Sequence, residues 1–147
     1  QGRVGISFPN HALILGNSIR LHGSLDDLTQ LINSGFYQGL RDYTRITSVI
    51  PVPDVLGYRT VKRVQAKSAH NKRKRSISKG WLSEEEASYR IPDTQQKAMK
   101  LPYAELKSLS NGNRMRVYVE HGSIQAEAVD GTFNAYGLSS TATIPWF

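Results

Sequence analysis

The chain of 147 residues contains no cysteine. Disulfides, thiolate nucleophiles and cysteine-bound zinc are therefore excluded, and a reducing compartment suits it. Long apolar runs are also missing. The longest, Ala12 to Leu15, falls far short of the ~20 residues of a membrane span or of a signal-peptide core. No metal-ligand cluster of histidines and acids stands out, so neither a metal nor another cofactor is expected. There is no internal repeat and no low-complexity tract beyond one basic stretch. A soluble, cytoplasmic protein without membrane contact is the expectation. The chain opens on Gln1 rather than Met, which points to a segment removed or lying elsewhere.

A further absence is local. From Tyr58 to Lys79 there is no acidic residue, the nearest being Asp54 and Glu84. This window holds nine of the nineteen Lys and Arg residues: Arg59, Lys62, Arg63, Lys67, Lys72, Arg73, Lys74, Arg75 and Lys79. The whole chain carries a net charge of +7. Cations packed this closely, without internal ion pairs, repel one another unless a polyanion lies against them, and nucleic acid is the usual polyanion. The other reading is a solvated charged face or a linker.

The two halves of the window differ in pattern. Arg59 to Gln65 suits a strand, with Arg59, Val61, Arg63 and Gln65 on one face and Tyr58, Thr60, Lys62 and Val64 on the other. Arg63 and Gln65 then stand about 7 Å apart along the strand. Arg can hold the O6/N7 edge of guanine with two hydrogen bonds, and Gln the N6/N7 edge of adenine. Ala69 to Lys79 suits a helix ending at Gly80, with Lys72, Arg75 and Lys79 on one stripe.

Hydrophobic residues, at 39%, allow a modest core. Val4 to Phe8 and Ile19 to Leu21 read as strands. Ser24 and Asp27 have capping-box spacing before a helix that ends at Ser34-Gly35. A short helix or turn follows at Tyr37 to Tyr43, and Ile46 to Val52 reads as a third strand. These are four of the six elements of a ferredoxin-like unit, with the opening strand and helix absent. Pro51 to Gly57 reads as a linker. Ser83 and Glu86 form a second capping box before a helix to Arg90, and Asp93 can cap a further piece to Lys100. Tyr103 to Ser110 and Arg114 to Glu120 form a hairpin about Asn111-Gly112. Phe133 to Leu138 and the Ile144-Pro145-Trp146-Phe147 end complete a small antiparallel sheet.

The segments GRVGISFP, SLDDL, YRTVKRVQAKS, LSEEEA followed by RIPDT, LKSLSNGNRMR, YGLSS and IPWF, in this order, together resemble the CRISPR repeat-processing endoribonuclease family of the type I-F system. The resemblance spans essentially the whole chain. It implies an α+β protein: an incomplete ferredoxin-like domain at 1–50, a linker at 51–57 and an RNA-binding domain at 58–147 with a basic helix and a small antiparallel sheet. It implies binding of a CRISPR repeat RNA stem-loop, cleavage at the stem base by 2′-OH attack without a metal, and partnership with other Cas subunits in a surveillance complex. Arg63 and Gln65 match the family's base readers, and Lys72 to Lys79 its groove-entering helix. The implied RNA-binding set is Arg59, Arg63, Gln65, Lys67, Lys72, Arg73, Lys74, Arg75, Lys79, Ser110, Asn111 and Met115. Ser108 matches a serine that orients the attacking ribose, and Tyr136 a tyrosine that helps place the catalytic histidine. That histidine lies upstream of this sequence in the family, and none of His11, His22, His70 or His121 matches it. Met115 replaces an aromatic that stacks on the closing base pair, and the basic helix is richer in lysine than the family's.

Without the resemblance, local pattern favours plainer roles. Tyr136 suits a half-buried core tyrosine, Ser108 and Ser110 strand-end hydroxyls, His121 a turn residue and His22 a solvent-facing strand residue. Three functions are open: a hairpin-specific endoribonuclease represented here without its general base, a non-catalytic RNA-hairpin subunit, and a basic scaffold that binds by charge alone.

Overall fold

The computed structural model describes residues 2–65, 68–92, 99–107, 112 and 114–147. In chain order the elements are β1 (Gly5–Ser7), β2 (Arg20–His22), α1 (Leu25–Asn33), a 3-10 turn at Gln38–Leu40, β3 (Gly57–Val64), α2 (Ala69–Ser78), α3 (Glu84–Arg90), β4 (Tyr103–Lys107), β5 (Arg114–His121) and β6 (Ser139–Trp146). The chain divides into two compact units. The first joins Gln1–Arg63 to Leu101–Phe147, and the second is Val64–Lys100.

The first unit is built on a four-stranded sheet in the order β4-β5-β3-β6, with a separate antiparallel pair of β1 and β2. The period-2 pattern of the sequence puts Val61, Val119 and Ile144, one from each of β3, β5 and β6, into the core, where each is almost fully buried. Phe8, Leu15 and Leu138 complete that core, and Ile6, Ala104, Phe133 and Trp146 pack around it. Gly5 lets β1 approach closely: a Cβ there would lie 2.7 Å from Ile144 and 2.8 Å from the Phe133 ring. The β3–β6 ladder shifts register between Thr60 and Val61, so that Thr60 faces Thr143 while Val61 faces Ser139. Pro145 sits on β6, an outer strand of the order, where a missing donor is tolerated.

Helix signals in the sequence hold well. Ser24 caps α1, its hydroxyl accepting from the Asp27 amide at 3.1 Å. The last amides of that helix turn back to Gln30 and Ile32. In the second unit Ser68 caps α2 and Ser83 caps α3, the latter with both bonds of a capping box. Two expected strands are not strands. Ile46 to Val52 runs without a ladder partner, and Ile46, Ile50 and Val52 are exposed. Prolines at 51 and 53 remove donors there, and apolar alternation alone does not supply an edge to pair with. Phe133 to Leu138 is a loop and tight turn, and the final strand begins at Ser139 instead. The helical piece expected from Asp93 falls mostly on 93–98, outside the described residues.

Candidate nucleic-acid interface

On β3 the two arginines differ in setting. Arg59 donates from Nε to the Gly122 carbonyl at 2.8 Å and from its terminal nitrogen to the His121 carbonyl at 3.2 Å. Its guanidinium carbon lies 4.6 Å from the Trp146 ring centroid. Burial lowers its pKa. This guanidinium is thus occupied by the protein's own sheet. Lys62 pairs with Glu120 at 3.3 Å. The face expected to carry Arg59, Val61, Arg63 and Gln65 is divided: Val61 enters the core, while Arg63 and Gln65 are exposed. Pairing with β6 ends at Val61, and the strand itself ends at Val64, so that Arg63 is on β3 while Gln65, expected on the same strand, follows it. Lys67 lies outside the described residues.

In the second unit α2 carries Lys72, Arg73, Lys74 and Arg75, followed by Lys79 at its C-cap. Lys72, Arg75 and Lys79 are exposed on the stripe that the sequence indicates. Arg73 is turned elsewhere and donates to the Ile91 carbonyl at 2.7 Å. Arg73 and Lys74 line a groove between α2 and α3 together with His70, Ile77, Glu84, Glu85 and Tyr89.

The hairpin of β4 and β5 places Met115 opposite Leu106, both substantially exposed. Gly112 has a φ of +71°, a backbone conformation that favours glycine. Ser108, Ser110 and Asn111 lie outside the described residues. Tyr136 is 71% exposed, which corrects the local expectation of a half-buried core tyrosine. Its turn is fastened by Asn134, whose Oδ1 accepts from the amides of Tyr136 at 2.8 Å and Leu138 at 3.1 Å. This turn forms one wall of a cleft of about 450 Å³. The other walls come from α1 and from β1 with the residues that lead into it, among which Arg3 pairs with Asp27 of α1 at 2.9 Å.

The sequence profile of the family described as "CRISPR-associated protein (Cas_Csy4)" matches residues 1–147. The chain is 43% identical over 148 residues to the "CRISPR-associated endonuclease Cas6/Csy4" of Escherichia coli strain UTI89, covering all of this chain and 80% of that protein. It is 42% identical over 149 residues to the protein of the same description from Pseudomonas aeruginosa strain UCBPP-PA14, covering 99% of this chain and 80% of the relative. The chain belongs to the Cas_Csy4 family.

The segments that carried the resemblance have definite places in this Cas_Csy4 chain. GRVGISFP holds β1 and the core residue Phe8, SLDDL is the cap and first turn of α1, and YRTVKRV is β3. LSEEEA contains the capping box of α3, and YGLSS runs from the Tyr136 turn into β6. IPWF closes β6, with Arg59 over Trp146 and Arg20 over Phe147, the latter at 3.8 Å. Sequence reasoning missed both of these cation–ring contacts, because each joins residues far apart in the chain.

The histidines also depart from expectation. His22 is buried rather than solvent-facing, with Nε2 2.8 Å from the Ser7 hydroxyl. Desolvation, with a smaller contribution from Arg20, pushes its pKa down to about 4. His121 is the last residue of β5 rather than a turn residue. It stacks on His11 with centroids 3.8 Å apart and planes 6° from parallel. Both of its ring nitrogens are buried without a hydrogen-bond partner. Burial first, then His11 and Arg59, lower its pKa to about 4. His11 is itself tied by Nδ1 to the Phe8 carbonyl at 2.6 Å. Among the described residues, no histidine lines the Tyr136 cleft and no group of three or more His, Asp and Glu is placed to hold a metal ion. No described helix is long and apolar enough to cross a membrane.

Proposed function

We propose that this chain binds the stem-loop of a CRISPR repeat transcript by base reading as well as charge, and that it forms part of an endoribonuclease cutting at the stem base. Family membership supports the nuclease reading. The single observation that carries the binding reading is that Arg63 on β3, and Gln65 just after that strand, are each exposed inside an acid-free window of the sequence. Arg63 reads a guanine and Gln65 an adenine, each through two hydrogen bonds. An A-form major groove is ordinarily too narrow for this, but a short stem open at its loop is accessible. Lys72, Arg75 and Lys79 lie along phosphates, joined by Lys67 and Lys74, while Arg73 braces the helix through the Ile91 carbonyl. Arg59 supports the surface from within the sheet. Ser110, Asn111 and Met115 grip the stem base, Met115 with softer contact than an aromatic ring.

The chemistry is metal-independent attack of a ribose 2′-OH on the adjacent phosphate, leaving a cyclic phosphate and a free 5′-OH. Ser108 orients the ribose, and Tyr136, exposed at the mouth of its cleft, helps place a histidine general base. Such a base contributes about two to four decades in rate. It is none of the four histidines here: His22 and His121 are buried and, with pKa lowered to about 4, are weak bases, His11 is engaged with Phe8 and His121, and His70 lies on α2 and does not line the Tyr136 cleft. Residues 1–50 belong to a ferredoxin-like domain and 58–147 to the RNA-binding part. Other Cas subunits are partners, and the cytoplasm is the site of action.

The test is cleavage of a repeat hairpin in EDTA. The 147 residues alone are expected to bind the hairpin and leave it uncut, whereas a chain extended to the full length of its relatives cuts it. Efficient cutting by the 147 residues would overturn the assignment of the base. Arg63→Ala and Gln65→Ala are each expected to cost about 1–3 kcal/mol on the cognate hairpin and little on a scrambled stem. Equal losses on both would reduce the protein to a cationic scaffold. The absence of a histidine from the described walls of the Tyr136 cleft favours, as a second reading for these 147 residues, a hairpin-binding subunit without catalysis.

A further inference from the structure

Trp81 follows the basic helix α2 and is 64% exposed. Its position is fixed rather than incidental. Gly80 adopts a φ of +69°, its amide donates to the Ile77 carbonyl at 2.9 Å, and the Trp81 amide reaches back to the Ser76 carbonyl at 2.9 Å. This pair of bonds is a Schellman termination, which sets the direction in which the chain leaves the helix. The Lys79 ammonium lies 5.3 Å from the indole centroid. Lys79 also ends the exposed stripe of Lys72 and Arg75. An indole left this open gives up the burial that usually accounts for tryptophan in a fold. What it keeps is a flat apolar face held beside a row of cations.

Resting on the reading that α2 lies along RNA, we propose that Trp81 is a stacking platform for an unpaired base of that RNA. A row of lysines and arginines holds phosphates. A ring face beside it takes the one part of a nucleotide that charge does not hold, the π-face of a base. Bases inside a stem have both faces covered by their neighbours, so the partner is a loop or flanking nucleotide. Such stacking is tolerant of base identity, and Lys79 adds attraction to the indole from its own side. Tyr89 is still more exposed, but it lines a groove in which Glu84 and Glu85 offset the charges of Arg73 and Lys74, so it lacks the net cationic border that Lys79 gives Trp81. Tyr89 is therefore not the platform.

The test compares Trp81→Ala, Trp81→Phe and Tyr89→Ala on a repeat hairpin and on the same hairpin with its unpaired nucleotides made abasic. Trp81→Ala is expected to lose about tenfold in affinity on the intact hairpin and nothing further on the abasic one. Trp81→Phe retains most of the binding, and Tyr89→Ala matches the parent. The slope of log K against log salt stays unchanged in Trp81→Ala, whereas Lys79→Ala lowers it by about one. Binding of the intact hairpin is also expected to quench indole fluorescence, and the quench is lost in Trp81→Phe. Unchanged affinity in Trp81→Ala, or an equal loss on both hairpins, overturns the proposal. A parent chain that binds no hairpin at all overturns the functional reading itself, and this proposal with it.

Discussion

Arg59 and Arg63 stand on the same strand in unlike surroundings. Arg59 donates to two backbone carbonyls and covers Trp146, so its removal leaves carbonyls and a ring without their partner. Arg59→Ala is expected to lower stability by about 2 kcal/mol in urea unfolding, and Arg59→Lys to recover little, because lysine lacks the planar fork. Removing Arg63, which is exposed, should leave the unfolding midpoint almost unmoved. His22 gives a pH dependence. The folded chain holds its imidazole neutral down to about pH 4, whereas the unfolded chain takes up a proton near pH 6.5. Its contribution is therefore complete above pH 6.5 and lost as the pH falls toward 4, up to about 3 kcal/mol. Urea midpoints measured from pH 7 to 4.5 should fall, and His22→Gln should remove part of that fall, the remainder belonging to His121, whose pKa burial lowers likewise. If the variant keeps the parent's full pH dependence, His22 is not its source. At this scale the sequence showed which residues were chemically able, but not their partners. Alternation gives two faces for Arg20-Leu21-His22 without saying which is buried, and the carbonyls that hold Arg59 are supplied by a distant strand.

Elements that depend on near neighbours were the legible ones. Ser24 with Asp27, Ser83 with Glu86, and the stop at Gly80 each involve residues a few positions apart; the last two are found as read, and Ser24 caps its helix through the Asp27 amide without the reciprocal bond of a box. Ser83→Ala is expected to cost about 1 kcal/mol, detected in the same unfolding experiment. The strand expected at Ile46 to Val52 fails because a strand needs an edge to pair with, and sequence pattern does not disclose one. The turn at Phe133 to Leu138 depends on the Asn134 side chain holding two amides, a local device that the apolar pattern concealed. On α2 the stripe of Lys72, Arg75 and Lys79 is expected to set the salt dependence of binding. Changing all three to alanine should lower the slope of log K against log salt by about three. A change in slope near zero would mean that this helix touches no phosphate. Candidate-site residues read by periodicity, such as these three, were located correctly on an exposed face, while Arg73 was drawn to the Ile91 carbonyl by a contact that spacing cannot show.

For the whole molecule, the net charge of +7 predicts two binding regimes. At low salt any RNA hairpin is expected to bind, and as salt is raised toward 0.2 M and beyond, only the cognate stem should persist. Competition between cognate and scrambled hairpins across that range checks this, and equal retention of both at every salt would leave charge as the whole account. The chain leaves the first unit at Arg63 and rejoins it at Leu101, an interleaving that composition along the chain does not reveal. Its central strand β3 has β5 and β6 as neighbours, and both follow it in sequence. On the ribosome, β3 therefore emerges with nothing to zip onto. At about 5–20 residues per second, roughly 75 residues separate Val64 from Ser139, so the nascent strand waits on the order of 4–15 seconds for its last partner. Its density of lysine and arginine keeps it soluble through that delay, and also leaves it open to any stray transcript that passes before the sheet has closed.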